Sequence, residues 1–457
     1  MPTAAVTNLG CKVNQYETEK IADSFVARGF DLIDFDSPAD VYIINTCSVT
    51  AAADRKSRLM ARRASRLSPG AKIVLTGCYA QLALDTNETV DCASLLVANR
   101  EKMRVAELTL NAFPELVTYS GALSKLATEP ANGTAVFPEE AGLIQLSSLL
   151  GKPEALRRTR ATIKVQDGCQ HFCAFCSIPY TRNTMASRKL QAVLDEARQL
   201  RDEGVQELVV TGVCVGAYGD GSSLLPDLIR ALGEVDGIAR VRLSSIQPIE
   251  TSDDLIAAIA ESPNAAAHLH LSLQSGDDSV LKAMQRPYDS AYFRDLVYRI
   301  RRRLPEIGLT TDVIVGFPGE TDECFENSFA FCNEIQFART HVFRYSPRQR
   351  TYADINFADS VPHDVKERRH KTLSGASRSN QSLFAGRYIG KTVDVLVEGR
   401  GMKDGWLAGY TGNYVRVHFP AGSQHRRSML KVRIDEVNEE GEAIGHVDLD
   451  CVGANSI

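Results

Sequence analysis

The run Asp167-Gly168-Cys169-Gln170-His171-Phe172-Cys173-Ala174-Phe175-Cys176 sets three cysteines at CxxxCxxC spacing, directly after the strand-like stretch Thr162–Val165. Three thiolates on so short a loop can hold three irons of a four-iron cluster. The fourth iron is then left without a protein ligand, open to a substrate or cofactor. A structural zinc site takes four ligands. His171 could be offered as the fourth, but its spacing gives no support for that. Unligated packing cysteines are the blander and weaker reading.

Working outward from the loop, strand-like stretches recur at Glu207–Val210, Val241–Leu243, His268–Leu273, Leu309–Val315 and His341–Phe343. Helical patterns such as Leu190–Glu203 and Tyr292–Leu304 lie between them. With Thr162–Val165 these make six β/α units, a barrel or part of one, whose active site belongs at the C-terminal strand ends. Polar residues gather there: Thr211–Gly212, Ser244–Ser245, Gln274–Gly276 and Gly316–Glu320.

Upstream, strand-like Ala4–Val6, Val41–Ile44 and Lys72–Leu75 alternate with helical Glu17–Arg28 and Ala51–Leu67, the signature of a parallel α/β sheet. Downstream, Thr392–Val397, Trp406–Tyr410, Tyr414–Phe419, Lys431–Val437 and Ala443–Val447 are short strands broken by Gly, Asn and Asp, which suggests a small β-barrel. The expected organisation is an α/β protein: a sheet domain at 1–118, a linker and approach at 119–160, a partial (β/α) barrel with connecting helix at 161–384, and a small barrel at 385–450.

The chain has 457 residues, 44% hydrophobic and 24% charged, which excludes wholesale disorder. No apolar run approaches the ~18 residues of a spanning helix. Met1–Gly10 lacks the basic start and apolar stretch of a secretory signal, so the cytosol is the expected compartment. Eleven cysteines are then expected as free thiols or ligands rather than disulfides, because a reducing compartment keeps thiols free. The net charge of −5 argues against a uniformly basic nucleic-acid binder, yet residues 362–433 hold 14 Lys/Arg against 5 Asp/Glu. A local basic surface of that kind suits a polyanion, with a plain solvated face as the rival. Lys366, Arg368, Arg369 and Lys371, on a helix entering the small barrel, and Arg426 and Arg427, on one of its loops, are the RNA-backbone candidates.

Cys11, Cys47 and Cys78 each follow a predicted strand within a few residues. In a parallel sheet such strand ends share one edge, so three distant thiols can converge on a ligand. The rival is three buried cysteines acting as small hydrophobes.

The CxxxCxxC loop, with aromatic Phe175 before its last cysteine, resembles the radical S-adenosylmethionine enzymes. That resemblance implies S-adenosylmethionine on the open iron as the source of a deoxyadenosyl radical. The whole arrangement resembles the methylthiotransferases of that superfamily. The matching runs are Asn8–Gln15, Asn45–Thr50, Thr76–Gln81, the loop, Gln274–Gly276, Gly316–Thr321 and Tyr345–Arg348. The resemblance implies a second [4Fe-4S] cluster on Cys11, Cys47 and Cys78, the first on Cys169, Cys173 and Cys176, and a C-terminal RNA-binding TRAM barrel. Gly10–Gln15 and Ala53–Ser57 look like the branch acting on threonylcarbamoyladenosine in tRNA. The implied reaction puts a methylthio group on carbon 2 of that adenosine, beside the anticodon. The partners implied are tRNA, an electron donor and a sulfur source, the last two unidentified. Phe175, Gly212, Ser245 and Gln274 are the S-adenosylmethionine-contact candidates. For Ser245 and Gln274 a turn-stabilising hydrogen bond is an equal alternative.

Gln247, Ser272, Arg344 and Cys214 depart from the family's usual residues; none of them removes a cluster ligand. A strand-end Cys214 reads most simply as a packing residue, as do Cys92, Cys324, Cys332 and Cys451, with Cys324 and Cys332 sharing a helical face. Arg182 and Arg188 read equally as guides for phosphate or cofactor carboxylate and as solvated residues. Two rival functions remain: methylthiolation of a ribosomal protein aspartate, and a non-catalytic iron–sulfur protein that binds RNA.

Overall fold

The computed structural model describes residues 1–116 and 159–448; positions 119–158 of the expected linker and approach, and Cys451, lie outside them. Two compact units emerge. The first contains residues 1–116, 166–188 and 346–355, and the second 159–165, 189–345 and 356–448. The packing units thus cut across the sequence ranges, since the CxxxCxxC loop belongs with the N-terminal sheet.

In the first unit, five parallel strands run in the order β2-β1-β3-β4-β5. They are β1 (Thr3–Asn8), β2 (Asp31–Ile33), β3 (Val41–Thr46), β4 (Lys72–Gly77) and β5 (Leu95–Leu96). β3 is buried at all six positions, as a central strand covered on both faces must be. Its side chains alternate between two cores. Tyr42 and Ile44 pack with Ala61, Ala64 and Leu75 on one face; Val41 and Ile43 pack with Ile21 and Phe25 on the other. Each fully buried Ile contributes roughly 1.5–3 kcal/mol.

Helices α1 (Lys12–Val26), α2 (Ala51–Leu67) and α3 (Cys78–Thr86) follow β1, β3 and β4. Thr50 caps α2 by accepting from the Ala53 N–H at 3.2 Å. The strand order reverses between β1 and β3, and at such a switch the carboxyl ends of the strands leave a crevice. The sequence missed β2 and β5, which are too short to carry a periodic signal.

The second unit holds two elements. In the partial barrel, β6 (Arg160–Asp167, its last two residues belonging to the first unit), β8 (Glu207–Gly212) and β9 (Arg240–Leu243) form one sheet. β10 (Ser245–Ile246), β11 (His268–Leu271), β12 (Gly308–Val315) and β13 (Arg339–Arg344) form the next. A parallel bridge from Val241 to Ala265 joins the two series. Helices Leu190–Asp202, Leu225–Gly233, Asp253–Glu261, Ser290–Arg303 and Asp322–Ile335 fall between the strands. The short β7 (Ala186–Ser187) pairs antiparallel with Gln166 and Asp167 in the first unit.

After the helix His363–Gly386 comes a closed five-stranded barrel, β14-β15-β16-β18-β17. Its strands are β14 (Thr392–Arg400), β15 (Trp406–Tyr410), β16 (Arg416–Pro420), β17 (Met429–Val437) and β18 (Ala443–Val447). The turn between β15 and β16 seats on the starts of the partial-barrel strands. Arg240 donates to the Tyr410 carbonyl at 3.0 Å, and Arg242 donates to those of Gly412 at 2.9 Å and Thr411 at 3.1 Å. Tyr414 stacks on His268 with ring centroids 4.7 Å apart. A Cβ on Gly308 would sit 2.1 Å from the Asn413 carbonyl oxygen, so only glycine admits this approach. The small barrel therefore occupies the end opposite the C-terminal strand tips. No helix among the described residues is long and apolar enough to cross a membrane.

Candidate functional site

The strand ends of the first unit bring Cys11, Cys47 and Cys78 to one edge. Asn8 lies opposite Asn45, and Thr46 opposite Gly77. Cys11 is the N-cap of α1, Cys47 follows β3 directly, and Cys78 is the first residue of α3. Gly10, at φ +99°, makes the approach possible: a Cβ there would lie 2.5 Å from the Cys47 sulfur. Asn14 ties the ends together by donating to the Leu9 and Thr46 carbonyls, each at 2.9 Å.

Cys47 and Cys11 also register their surroundings. Burial pushes Cys47 up to about 12, with Cys78 and then Cys11 adding to the rise. Cys11 is reachable by solvent, yet the protein around it still raises its thiol, against the pull of the Arg182 guanidinium and with Cys78 adding. Three sulfur donors on one sheet edge, two of them at helix N-termini, fit an anionic iron–sulfur cluster.

The CxxxCxxC loop is shaped by its backbone. Gly168, at φ +81°, passes so close to Thr184 that a Cβ would lie 2.2 Å from the Thr184 carbonyl oxygen. The Asp167 carboxylate accepts the Gly168 N–H at 2.8 Å, and the Cys176 N–H donates to the Cys173 carbonyl at 2.9 Å, closing a turn. Phe172 takes a left-handed φ of +48° and stands half-exposed. The Ala174 carbonyl accepts the Ala353 N–H at 2.8 Å. Cys169 and Cys173 are buried, while Cys176 and Phe175 are half-buried. A short loop with three sulfur donors fits a cluster here too.

Two buried arginines hold the surroundings of both cysteine sets. Arg182 donates to Glu17, Asn14 and Asp167 at 2.8–3.0 Å. Lys102 adds a second cation on Glu17 at 2.8 Å. Arg348, in the Tyr345–Arg348 run, donates to Ser48 at 2.8 Å and pairs with Asp54. The sequence reading missed these roles. Arg182 and Arg188 are neither solvated nor free to guide phosphate: both are buried, and Arg188 reaches the Tyr16 hydroxyl at 3.4 Å. The hint lay in acids such as Glu17 on a largely buried helix, since a buried carboxylate needs a cation.

In the second unit, Gly212 ends β8 and Ser245 is exposed at the start of β10. Gln274 adopts φ +72°, pinned by its N–H on the Asp312 carbonyl at 2.8 Å and by the Ile314 N–H on its own carbonyl at 2.9 Å. A non-glycine residue held left-handed at a strand end is strained, and such strain tends to collect at functional sites. Two departures from the family pattern meet at one residue: Arg286 donates to the Gln247 side chain and, at 2.9 Å, to the Ser272 carbonyl. Cys214 is buried and bonds Glu250 at 2.9 Å. Cys332 is core, whereas Cys324 sits half-buried in the first turn of its helix beside Thr321, so the two do not share a setting.

The basic candidates divide. Lys366 is buried, paired with Asp359 at 2.5 Å and lying so close to Gly316 that a Cβ there would be 2.3 Å from its Cγ. Arg369 is buried on Glu320 at 2.6 Å and Asp322 at 2.8 Å. Neither is presented to RNA: the helix packs on the partial barrel, and a charge on its inner face must be paired. Arg368, Lys371 and Arg426 are exposed, and Arg427 is half-buried with φ +69°.

The chain matches the Uncharacterized protein family UPF0004 over residues 3–96, the Radical SAM superfamily over 163–332 and the TRAM domain over 386–447. It is 35% identical to the "Threonylcarbamoyladenosine tRNA methylthiotransferase MtaB" of Bacillus subtilis over 95% of this chain and 94% of that one. It is 34% identical to the protein of the same description in Thermotoga maritima, over 96% of each. A "tRNA-2-methylthio-N(6)-dimethylallyladenosine synthase" of Methylacidiphilum infernorum is 31% identical over 95% of this chain and 93% of that one. Among solved structures, the radical S-adenosylmethionine methyltransferase TsrM of Kitasatospora setae shares the fold with a TM-score of 0.53 at 16% identity, covering 78% of this chain and 77% of that one. The cofactors of such an enzyme are S-adenosylmethionine and two [4Fe-4S] clusters. With thiols gathered at the sheet edge, a CxxxCxxC loop at the end of β6 and relatives matching 95% or more of the chain, this protein belongs to the radical S-adenosylmethionine methylthiotransferase family, in the branch that includes these bacterial threonylcarbamoyladenosine tRNA methylthiotransferases.

Proposed function

We propose that the protein methylthiolates carbon 2 of threonylcarbamoyl-modified adenosine beside the anticodon of tRNA, in the cytoplasm. Cys11, Cys47 and Cys78 hold one [4Fe-4S] cluster, and Cys169, Cys173 and Cys176 hold the other. The observation that carries this reading is that both cysteine sets lie in one compact unit, with Gly10 letting the first set close up. The nucleoside named for the Bacillus subtilis and Thermotoga maritima relatives supports this choice.

When bound, S-adenosylmethionine and the clusters supply a carbon radical, a methyl group and sulfur. The chain's own residues hold and orient. The cysteines leave one iron of each cluster free of protein. The N-termini of α1 and α3 face anionic sulfur with the positive ends of their dipoles. Phe175, Gly212, Ser245 and Gln274 contact S-adenosylmethionine, and exposed Arg368, Lys371 and Arg426, with Arg427, meet the tRNA backbone. The working domains are 1–118, 161–384 and 385–450, with 119–160 as linker and approach between the first two.

The test is nucleoside mass spectrometry of tRNA with and without the gene, beside iron analysis of anaerobically reconstituted protein. About eight irons per chain and loss of the methylthio nucleoside on deletion are expected. C11A keeps about four irons and still forms deoxyadenosine, but makes no methylthio product. A modified ribosomal protein with unchanged tRNA would redirect the substrate. Absence of deoxyadenosine from reduced wild-type protein would leave only a non-catalytic RNA binder.

A further inference from the structure

We infer that Arg182 is a positioning residue that sets the spacing between the two cysteine sets; the inference rests on the two-cluster reading. Arg182 is 6% exposed and lies six residues after Cys176. Its guanidinium reaches toward the first set. Nη2 donates to Asn14 Oδ1 and to Glu17 Oε2, each at 2.8 Å, and both residues lie on α1, the helix that Cys11 caps. The same group reaches back to the second set. Nη1 donates to Glu17 Oε1 at 2.9 Å and to Asp167 Oδ1 at 3.0 Å, two residues before Cys169. Its backbone carbonyl accepts the Cys169 N–H at 3.3 Å. One planar fork thus joins the cap of one cysteine set to the root of the other.

A second tie lies nearer the other cysteines. The Ser177 hydroxyl, one residue after Cys176, donates at 3.3 Å to the carbonyl of Ser48, one residue after Cys47. Two ties at separate points resist rotation of one loop against the other, which a single tie would allow.

The rival explanation is charge alone: Glu17 and Asp167 are buried and need cations. Lys102 already supplies one to Glu17 at 2.8 Å. A lysine at position 182 would keep the charge but not the fork, because an ammonium is a point donor on a flexible stem. Arg182→Lys therefore separates positioning from neutralisation.

The experiment uses full-length protein, reconstituted anaerobically, as wild type, R182K and N14A. Three quantities are read: iron per chain, spin–spin coupling between the reduced clusters by electron paramagnetic resonance, and deoxyadenosine formed per methylthio nucleoside on tRNA. R182K should hold full iron, show weakened coupling, and raise the deoxyadenosine ratio by roughly ten- to a hundredfold, as expected when reacting groups are displaced by about 1 Å. N14A, which removes the Arg182 acceptor together with the donors to the Leu9 and Thr46 carbonyls but no charge, should shift both readings in the same direction. Full iron with unchanged coupling and ratio in R182K overturns the inference alone. Loss of iron from both sets in R182K and N14A also overturns it, since the role is then merely structural. Wild-type protein with the iron of a single cluster overturns the two-cluster reading, and this inference with it.

Discussion

Arg348 Nη2 lies 2.8 Å from the hydroxyl of Ser48, bridging 300 positions of sequence to reach the residue next to Cys47. The same guanidinium pairs with Asp54 at 2.5 Å, with side chains only 5% and 13% exposed. Removing one partner of a buried pair leaves the other charge unpaired, at about 3 kcal/mol or more. R348M should lower the denaturation midpoint of the first unit and reduce iron loading on Cys11, Cys47 and Cys78 while sparing the CxxxCxxC set. An unchanged midpoint by circular dichroism would show that other contacts hold Ser48.

Gly10 and Gly204 offer a matched comparison. Both have positive φ, +99° and +85°, but a Cβ meets the Cys47 sulfur at 2.5 Å in the first case and nothing within 4 Å in the second. G204A should cost about 1 kcal/mol of backbone strain and leave iron content alone. G10A should halve the iron and abolish methylthio transfer. Equal iron in the two variants would remove the close-approach argument.

Glu207 is pushed up by its burial, yet Arg242, Arg240 and Arg160 together hold it below its ordinary value of 4.5. A depressed carboxylate stabilises the fold above its unfolded pKa, and that contribution fades as pH falls through the lower folded value. Glu207 bonds Arg242 at 2.8 Å and Arg240 at 3.1 Å, the same arginines that hold the β15–β16 turn. E207Q should lose about 3–5 kcal/mol at neutral pH and show a flatter loss of stability below pH 4.5. Acid titration of the unfolding midpoint checks this; parallel wild-type and variant curves would count against it.

Arg368 and Lys371 stand 61% and 75% exposed, whereas Lys366 and Arg369 are 7% and 4%. R368E/K371E should weaken tRNA binding and lower the salt slope by about 0.7–0.9 per lost phosphate contact, with little change in melting. R369M should do the reverse, because it unpairs Glu320. Filter binding across salt, beside thermal melts, separates the two; a K366M or R369M variant that loses only tRNA affinity would refute the division.

Much of the architecture was readable in the chain. Ala51–Leu67 is the helix expected, and Trp406–Tyr410 and Ala443–Val447 are the strands expected. Each carries its own periodicity and a turn residue at its border. The gathering of Cys11, Cys47 and Cys78 was also foreseeable, because a parallel sheet aligns strand ends whatever lies between them. What escaped was which charges turn inward. Lys366, Arg368, Arg369 and Lys371 look alike in sequence, and only the packing of their helix distinguishes them. Arg182 and Arg348 escaped for the same reason, since their carboxylate partners lie far off in the chain.

The β15–β16 turn is gripped by Arg240 and Arg242 through three peptide carbonyls. Every amino acid presents the same carbonyl, so this grip ignores the identities of Tyr410, Thr411 and Gly412. Mutational drift that spares Asn413 and Tyr414, whose side chains also meet the larger barrel, can retune the hairpin's outward chemistry without unseating it, and grafting a foreign hairpin of equal length that keeps these two residues is a realistic engineering route.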